Sequence, residues 1–207
     1  MTPHASRARR ITAGALVAVA VTLTACGNTD TEDTAAEPDQ TTTSPELTWE
    51  DGPAGLQTPQ SDAGPHKTKP VPHGWDPTPH GAVSAAIAGH VWMAGADDAT
   101  WPEVATTMLE PGPGRDQWAQ ARSLVSVNGT VEERTEFTGF KIADYTDNAA
   151  TIVLATKWPN GDTLAYPVQV SHSTGDWRVV VPEQGSEPDY KQISSTDEFI
   201  PLTTKEA

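Results

Sequence analysis

The hydrophobic pattern of residues 75–183 changes its period partway along, and this change limits the folds open to the chain. Before residue 129, apolar side chains recur every three or four residues, as they do on one face of a helix. After residue 134 they alternate with polar ones, which is typical of half-buried strands. The turns between these alternating segments are too short to hold crossover helices, so we expect an antiparallel meander. The four predicted strands are residues 135–146, 149–158, 163–173 and 177–182.

The first predicted helix starts after Thr78, a good N-cap residue that is followed directly by a proline. Val83, Ile87 and Val91 follow at four-residue spacing among alanines, and the pattern ends at Gly95. This arrangement predicts an amphipathic helix with a face of small residues that packs closely against a sheet.

Two further helices are predicted before the strands. The shorter one follows Thr100, which has the capping-box spacing with Glu103. The other covers residues 116–125, with apolar positions at Trp118, Ala121 and Val125. Both are expected to contribute an apolar face to the core.

The third predicted strand contains Pro167, which has no amide proton to donate to a ladder. This residue predicts an edge or a bulge at that point of the sheet. The last segment, residues 184–207, reads as a polar tail. Within it, the stretch DEFIPL at residues 197–202 leaves two outcomes open, an additional docked strand or a loose end.

Helices followed by a curved antiparallel meander resemble the order of NTF2-like domains. That resemblance implies an α+β cone, with helices packed on a four-stranded sheet and the first helix in its concave face. The stretch TPHGAVSAAIAGHVWMAG followed by ATWPEV also resembles a domain of unknown function in actinobacterial exported proteins and lipoproteins. Several members of that group lie near integrative or conjugative elements. The resemblance covers about residues 74–183 and transfers no catalytic residue.

The only cysteine of the chain, Cys26, follows a leader that has the features of an export signal. Residues 1–10 carry three arginines and no acid. Residues 11–25 carry no charge and are too few to span a bilayer, which takes ~20 residues. The motif Leu23-Thr24-Ala25-Cys26 resembles a bacterial lipobox, which implies cleavage before Cys26 and a diacylglycerol on its thiol. The protein is then expected on the extracytoplasmic face of the cell membrane, exported by either the Sec or the Tat route.

The chain is acidic, with a formal net charge of −15, and loss of the leader removes three more positive charges. Nucleic-acid phosphates repel such a chain, so nucleic-acid binding is not expected. A single cysteine allows no disulfide within the chain, and the exported fold therefore depends on its apolar core.

Residues 26–74 are predicted to form a disordered, acidic tether that starts at the lipidated cysteine. Their large apolar side chains are only Leu47, Trp49, Leu56 and Val71, among threonine, proline, glycine, serine and acidic residues. Such a segment buries too little surface to offset its ordering entropy. One folded domain is therefore expected, over residues 75–183.

His90, Asp144 and Tyr166 are the candidate pocket residues. In NTF2-like cones the first helix lines a pocket, and His90 lies on that helix. With Asp144 or Tyr166 it could form an acid–base pair of the kind that abstracts a proton beside a carbonyl. The alternative is a structural histidine that is partly buried and hydrogen-bonded. No nucleophile elbow and no phosphate-binding loop occur in the sequence, so no catalytic residue and no cofactor are predicted.

The histidines do not have the spacing of a metal site. Zinc ligands converge through short spacings or along one helix face, whereas His66 and His73 fall in the expected tether. His80 falls in the first helical turn, and His90 lies more than two turns further on. No metal is predicted.

Two functions remain open from the sequence. The first is a non-enzymatic envelope lipoprotein whose domain binds a protein partner, as an accessory of a secretion or conjugation apparatus. The second is a small-ligand binder or enzyme that uses a pocket near His90. A hollow pocket with a titratable group facing inward would favour the second.

Overall fold

The computed structural model describes residues 39–204. Three helices occur in this part of the chain: α1 (Pro79–Gly95), α2 (Trp101–Thr107) and α3 (Pro113–Arg122). The strands are β1 (Glu46–Asp51), β2 (Gln57–Gln60), β3 (Glu136–Thr146), β4 (Ala149–Lys157), β5 (Thr163–Ser171), β6 (Arg178–Val180), β7 (Lys191–Gln192), β8 (Ile200–Pro201) and β9 (Thr203–Thr204).

Six strands form one antiparallel sheet. Its order is β6-β5-β4-β3-β8, and β7 pairs with β5 on the same side as β6. The four strands predicted from alternation are present and pair in chain order. Their register places Phe140, Leu154 and Tyr166 side by side, and all three side chains are buried. Residues paired across neighbouring strands lie on the same face of a sheet. This buried row therefore identifies the face that packs against the core.

Helix α1 begins as predicted, since the Thr78 hydroxyl accepts a hydrogen bond from the amide of Gly81 at 3.1 Å. It is not amphipathic, however. Every residue from 81 to 89 is buried, and no charged residue occurs between Asp76 and Asp97. A helix without a polar face is covered on all sides. The six-stranded sheet covers one side of α1, and the residues before the helix cover another.

The prediction of a disordered tether is wrong for the residues that the structure describes. Strands β1 and β2 form a hairpin, and β9 adds a parallel third strand from the far end of the chain. Leu47 and Val71 are fully buried. Few apolar side chains suffice here because α1 offers an apolar surface that the segment covers.

Hydrogen bonds fasten this N-terminal segment to the hairpin between β5 and β6. The Asp176 carboxylate accepts hydrogen bonds from the amides of Gly74 (2.7 Å) and Trp75 (2.9 Å). The indole N–H of Trp177, whose side chain is fully buried, donates to the carbonyl of Asp76 at 2.9 Å. These contacts join residues about a hundred positions apart, all near the N-terminal end of α1.

The NTF2-like cone is therefore not the fold. The prediction of helices on a four-stranded meander misses two strands of the main sheet and the whole three-stranded sheet. The polar tail supplies three of the missing strands, β7, β8 and β9, and DEFIPL docks through β8 on β3. Short strands with exposed residues carry no apolar alternation, so their partners determine them.

The two short helices differ from the sequence prediction in detail. Thr100 precedes α2 but forms no capping box, because its hydroxyl donates to the Asp97 carboxylate at 2.5 Å instead. Helix α3 spans residues 113–122, three positions earlier than predicted, and it buries only Gly114 and Arg122. Of its expected apolar face only Trp118 packs against the core, and its side chain is half-buried.

Candidate functional site

Two neighbouring cavities lie along the C-terminal part of α1. The larger has a volume of about 410 Å³. It is bordered on one side by residues 181–190, which we name the strap, and we therefore call it the strap cavity. The smaller, about 270 Å³, is bordered by Trp158 and is named the Trp158 groove. Both are lined by His90, Tyr166 and Tyr190, which form the wall between them.

The strap cavity forms where strand β5 lacks a neighbour. On its outer side β5 pairs with β7 at residues 164–165 and with β6 at residues 169–171. Residues 166–168 between these two pairings have no strand partner on that side, and Pro167 at their centre has no amide proton to offer one. The chain between β6 and β7 passes over this gap and encloses the cavity. The sequence prediction of a break at Pro167 thus locates the cavity.

His90 contributes a ring whose polar atoms have distinct roles. Its Nδ1 lies 3.3 Å from the carbonyl oxygen of Ala86, so Nδ1–H donates there. Burial lowers the pKa of His90 below its ordinary value of 6.5, and the bond to Ala86 opposes this only in part. The ring is therefore neutral at neutral pH, and Nε2 is left as an acceptor. Among residues 39–204, none donates to Nε2.

Tyr166 faces His90 from strand β5, with ring centroids 5.3 Å apart. Burial, followed by the neighbouring Tyr190, raises the pKa of Tyr166, so its hydroxyl stays protonated. Within the described part of the chain this hydroxyl makes no hydrogen bond. The ring of Tyr190 packs on Tyr166 from outside at a tilt of 40°, with ring centroids 4.6 Å apart, and Tyr190 is 56% exposed. The wall thus offers one acceptor and one donor in apolar surroundings.

The Trp158 groove has a more open, aromatic border. Three of its lining side chains are large hydrophobic groups with substantial exposure: Val131, Trp158 and Tyr190. The Trp158 indole N–H donates to the Thr156 hydroxyl at 3.2 Å, which orients the ring. An oriented aromatic ring at a groove is typical of a binding surface.

The predicted acid–base pair of His90 and Asp144 is not assembled. Asp144 is exposed, pairs in register with Thr151, and lines neither cavity. A register shift between Ile142 and Asp144 gives Tyr145 the inward position and leaves Asp144 on the other face. Only His90 and Tyr166 of the three candidates come together, and a tyrosine with a raised pKa is no base at neutral pH. The one accepting atom of the pair is therefore Nε2 of neutral His90.

Sequence reasoning missed Tyr190 as a site residue. Tyr190 falls in the segment read as a polar tail. A signal for Tyr190 exists in the sequence: it is the one aromatic residue between Trp177 and Phe199. An aromatic side chain that is isolated in a polar segment has few apolar neighbours in sequence. Its ring can be buried only against a residue that is distant in sequence.

The histidines are dispersed, each with a different partner. His66 contacts the Asp76 carboxylate at 2.9 Å, and His73 Nδ1 lies 2.8 Å from the Val71 carbonyl. His80 Nε2 lies 3.0 Å from the carbonyl of Thr43, and burial lowers its pKa. Within residues 39–204, no three His, Cys, Asp or Glu side chains are placed to hold a metal ion.

Two sequence predictions fall outside what the structure describes. Cys26 and the leader precede residue 39, so the lipid anchor is not tested by the fold. In the described stretch, no helix combines the length and the apolar character needed to cross a membrane.

Comparison with known proteins gives a family and no activity. No significant match occurs among the curated proteins, and none occurs among the solved structures. A family described as a domain of unknown function (DUF8175) matches residues 11–201. The match begins inside the predicted leader and extends through β8, so it includes both the N-terminal segment and the strap. The chain therefore belongs to the DUF8175 family.

Proposed function

We propose that this protein is an exported lipoprotein whose folded part binds a small, uncharged and largely apolar ligand in the strap cavity. The observation that carries the proposal is the wall shared by the two cavities. Two of its residues, His90 with a free Nε2 acceptor and Tyr166 with a hydroxyl donor, line a largely apolar cavity of about 410 Å³. Small-molecule sites have this size and this combination of apolar lining with a few polar groups.

The charge of the ligand follows from the groups around it. Neutral His90 and protonated Tyr166 bring no net charge to the wall. Glu187 in the strap adds a negative charge at the margin, and the chain as a whole is acidic. An anionic ligand would be repelled, and a cation would find no carboxylate inside the wall. An uncharged molecule with a single hydroxyl or amide group fits best.

The lipid anchor at Cys26 is part of this proposal and rests on the lipobox. Because the N-terminal segment is folded from Asp39, only twelve residues separate it from Cys26. A fully extended chain of that length reaches about 45 Å. We therefore propose a connection between the lipid anchor and the folded part that is shorter than a tether reaching residue 74 would be.

A matched pair of probes tests the ligand proposal. We expect 2-naphthol to bind the full chain about three- to tenfold more tightly than naphthalene, because one neutral hydrogen bond contributes about 0.5–1.5 kcal/mol. Fluorescence titration measures both affinities. His90→Phe should remove the difference while keeping an aromatic ring at the wall. The matched control is Asp144→Asn, on the other face of the sheet, which should change neither affinity.

Two outcomes would contradict the ligand proposal. If neither probe binds, or if both bind equally and His90→Phe has no effect, the wall does not select a polar group. Fractionation of cells that produce Cys26→Ser tests the anchor separately. The wild-type protein should be in the membrane fraction and the variant should leave it, whatever the result of the ligand titration.

A further inference from the structure

Helix α3 and the turn after it carry apolar residues that the domain leaves largely exposed. Of the ten residues of the helix only Gly114 and Arg122 are buried. Leu124, two residues after the helix, is 85% exposed, and Val125 is 57% exposed. The exposed Ala121 and the half-buried Trp118, which also packs against the core, continue these apolar positions at a spacing of three or four residues. We name these four residues the α3 surface.

The attachment of α3 explains why this surface stays free. Buried Arg122 donates hydrogen bonds to the carbonyl of Ala96 (2.9 Å), the carbonyl of Val125 (2.6 Å) and the carboxylate of Asp98 (3.0 Å). Its guanidinium also lies 5.9 Å from the ring centroid of Trp101. The end of the helix is thus held by polar contacts, whereas most globular helices are held by an apolar face.

Contacts with α2 and with Asp98 hold the α3 surface in an ordered conformation. Trp118 packs edge-on against Trp101 of α2, with centroids 6.2 Å apart. Asp98 accepts hydrogen bonds from the hydroxyl of Ser126 (2.5 Å) and the amide of Val127 (3.2 Å), which fixes the chain after Val125. The exposed leucine and valine are therefore presented by an ordered turn.

The charges around the α3 surface indicate what covers it. Arg115 is paired with Asp116, and Arg122 with Asp98, so both basic side chains of the helix are already neutralised. Asp97 and Glu103 are exposed nearby, and neither is in an ion pair among the described residues. The border of the surface is therefore negative. A second copy of the chain, or an anionic membrane, would meet this border with like charge.

We infer that the α3 surface is a docking site for a protein segment that presents apolar side chains flanked by lysine or arginine. An exposed apolar patch with a polar border is typical of protein interfaces, and the complementary charge sets the choice of partner. This surface shares no residue with the strap cavity or the Trp158 groove. The inference is therefore independent of the ligand proposal, and it gives a location to the protein partner anticipated from the sequence.

Site-specific photocrosslinking of the full chain in the cells that produce it tests this inference. Leu124→p-benzoylphenylalanine places the probe on the α3 surface without disturbing the core, because Leu124 is almost fully exposed. Glu136→p-benzoylphenylalanine, at an exposed position of β3, is the matched control. We expect the first probe alone to crosslink one protein, through a peptide that mass spectrometry shows to be apolar with flanking lysine or arginine.

Charge reversal supplies the second arm of the test. Asp97→Lys combined with Glu103→Lys should lower the crosslinking yield at position 124 at least fivefold, because the flanking cations then meet like charge. Crosslinks to a second copy of this chain, to lipid only, or equally from both probe positions would overturn the inference. The absence of a crosslink at position 124, or a crosslinking yield that the charge reversal leaves unchanged, would overturn it as well.

Discussion

The two ends of helix α1 are built differently. From Gly81 to Gly89 every residue is buried, and hydrogen bonds near the start of the helix tie the N-terminal segment to the β5–β6 hairpin. Around its last turns His90 and Met93 line the strap cavity, and Ala94 is exposed. One helix thus joins a filled region, which supplies stability, to a hollow region that leaves polar atoms free. Substitutions at the two ends should affect different properties.

The largest effect is expected from Trp177→Ala at the filled end. The Trp177 side chain is fully buried, packs against Tyr145 and His172, and donates to Asp76. Its removal should lower the free energy of unfolding by about 3–5 kcal/mol, measured by urea denaturation. Trp158→Ala at the groove, where the ring is 39% exposed, is the matched control and should cost less than half as much. Equal losses would remove the distinction between the two ends.

The next effect tests how the N-terminal segment is fastened. Asp176→Ala leaves the amides of Gly74 and Trp75 without their acceptor, which should cost about 1–3 kcal/mol. Hydrogen exchange should accelerate at these two amides and in β1–β2, while β4 stays protected. Asp144→Ala is the matched control, within about 0.5 kcal/mol of the wild type. Uniform acceleration of hydrogen exchange across the six-stranded sheet would show that the hydrogen bonds of Asp176 do not act locally on the N-terminal segment.

The buried, neutral state of His90 at the hollow end of α1 should make the stability of the protein depend on pH. Because burial lowers the pKa of His90 below 6.5, the unfolded chain binds more protons than the native chain once the pH falls below about 6.5. Stability should therefore fall between pH 7 and pH 5, and His80, whose pKa is also lowered, adds to the slope. His90→Gln should make this fall smaller in urea titrations at several pH values. An unchanged slope would contradict the buried, neutral state of His90.

The smallest effect on stability is expected from Tyr190→Ala. Its ring is 56% exposed and contacts the domain mainly through Tyr166, so the free energy of unfolding should change by about 0.5 kcal/mol or less. The affinity for 2-naphthol should nevertheless fall by about threefold or more, because the wall between the two cavities loses its outer ring. A large stability loss, or an unchanged affinity, would place Tyr190 with the structural residues.

Four strands of the main sheet were predicted because alternation of apolar residues is a local signal, whereas a sheet of only four strands was wrong. The strands of residues 136–180 pair in the expected order, and α1 starts at its expected cap. The N-terminal segment was missed for the opposite reason, since its order depends on distant partners such as Asp176. One local signal was available: twenty residues without a charge, from Pro77 to Ala96, cannot leave α1 a solvent-facing side.

The candidate site was predicted only in part. His90 and Tyr166 lie where helical and strand periods place them, on facing surfaces of α1 and β5. Asp144 was misplaced by the register shift in β3, which alternation alone does not reveal. Tyr190 reaches the site because the strap crosses the gap at Pro167, and that path depends on tertiary contacts.

The most direct test of the account is a xenon titration of the full chain followed by methyl NMR. Xenon enters dry apolar cavities and shifts the methyl groups that line them. We expect concentration-dependent shifts at Met93, Val168 and Val179 in the strap cavity, whereas Val83 and Ile87 at the filled end should not shift. Shifts of equal size at both ends, or none at the strap cavity, would contradict the division of α1 into a filled and a hollow region.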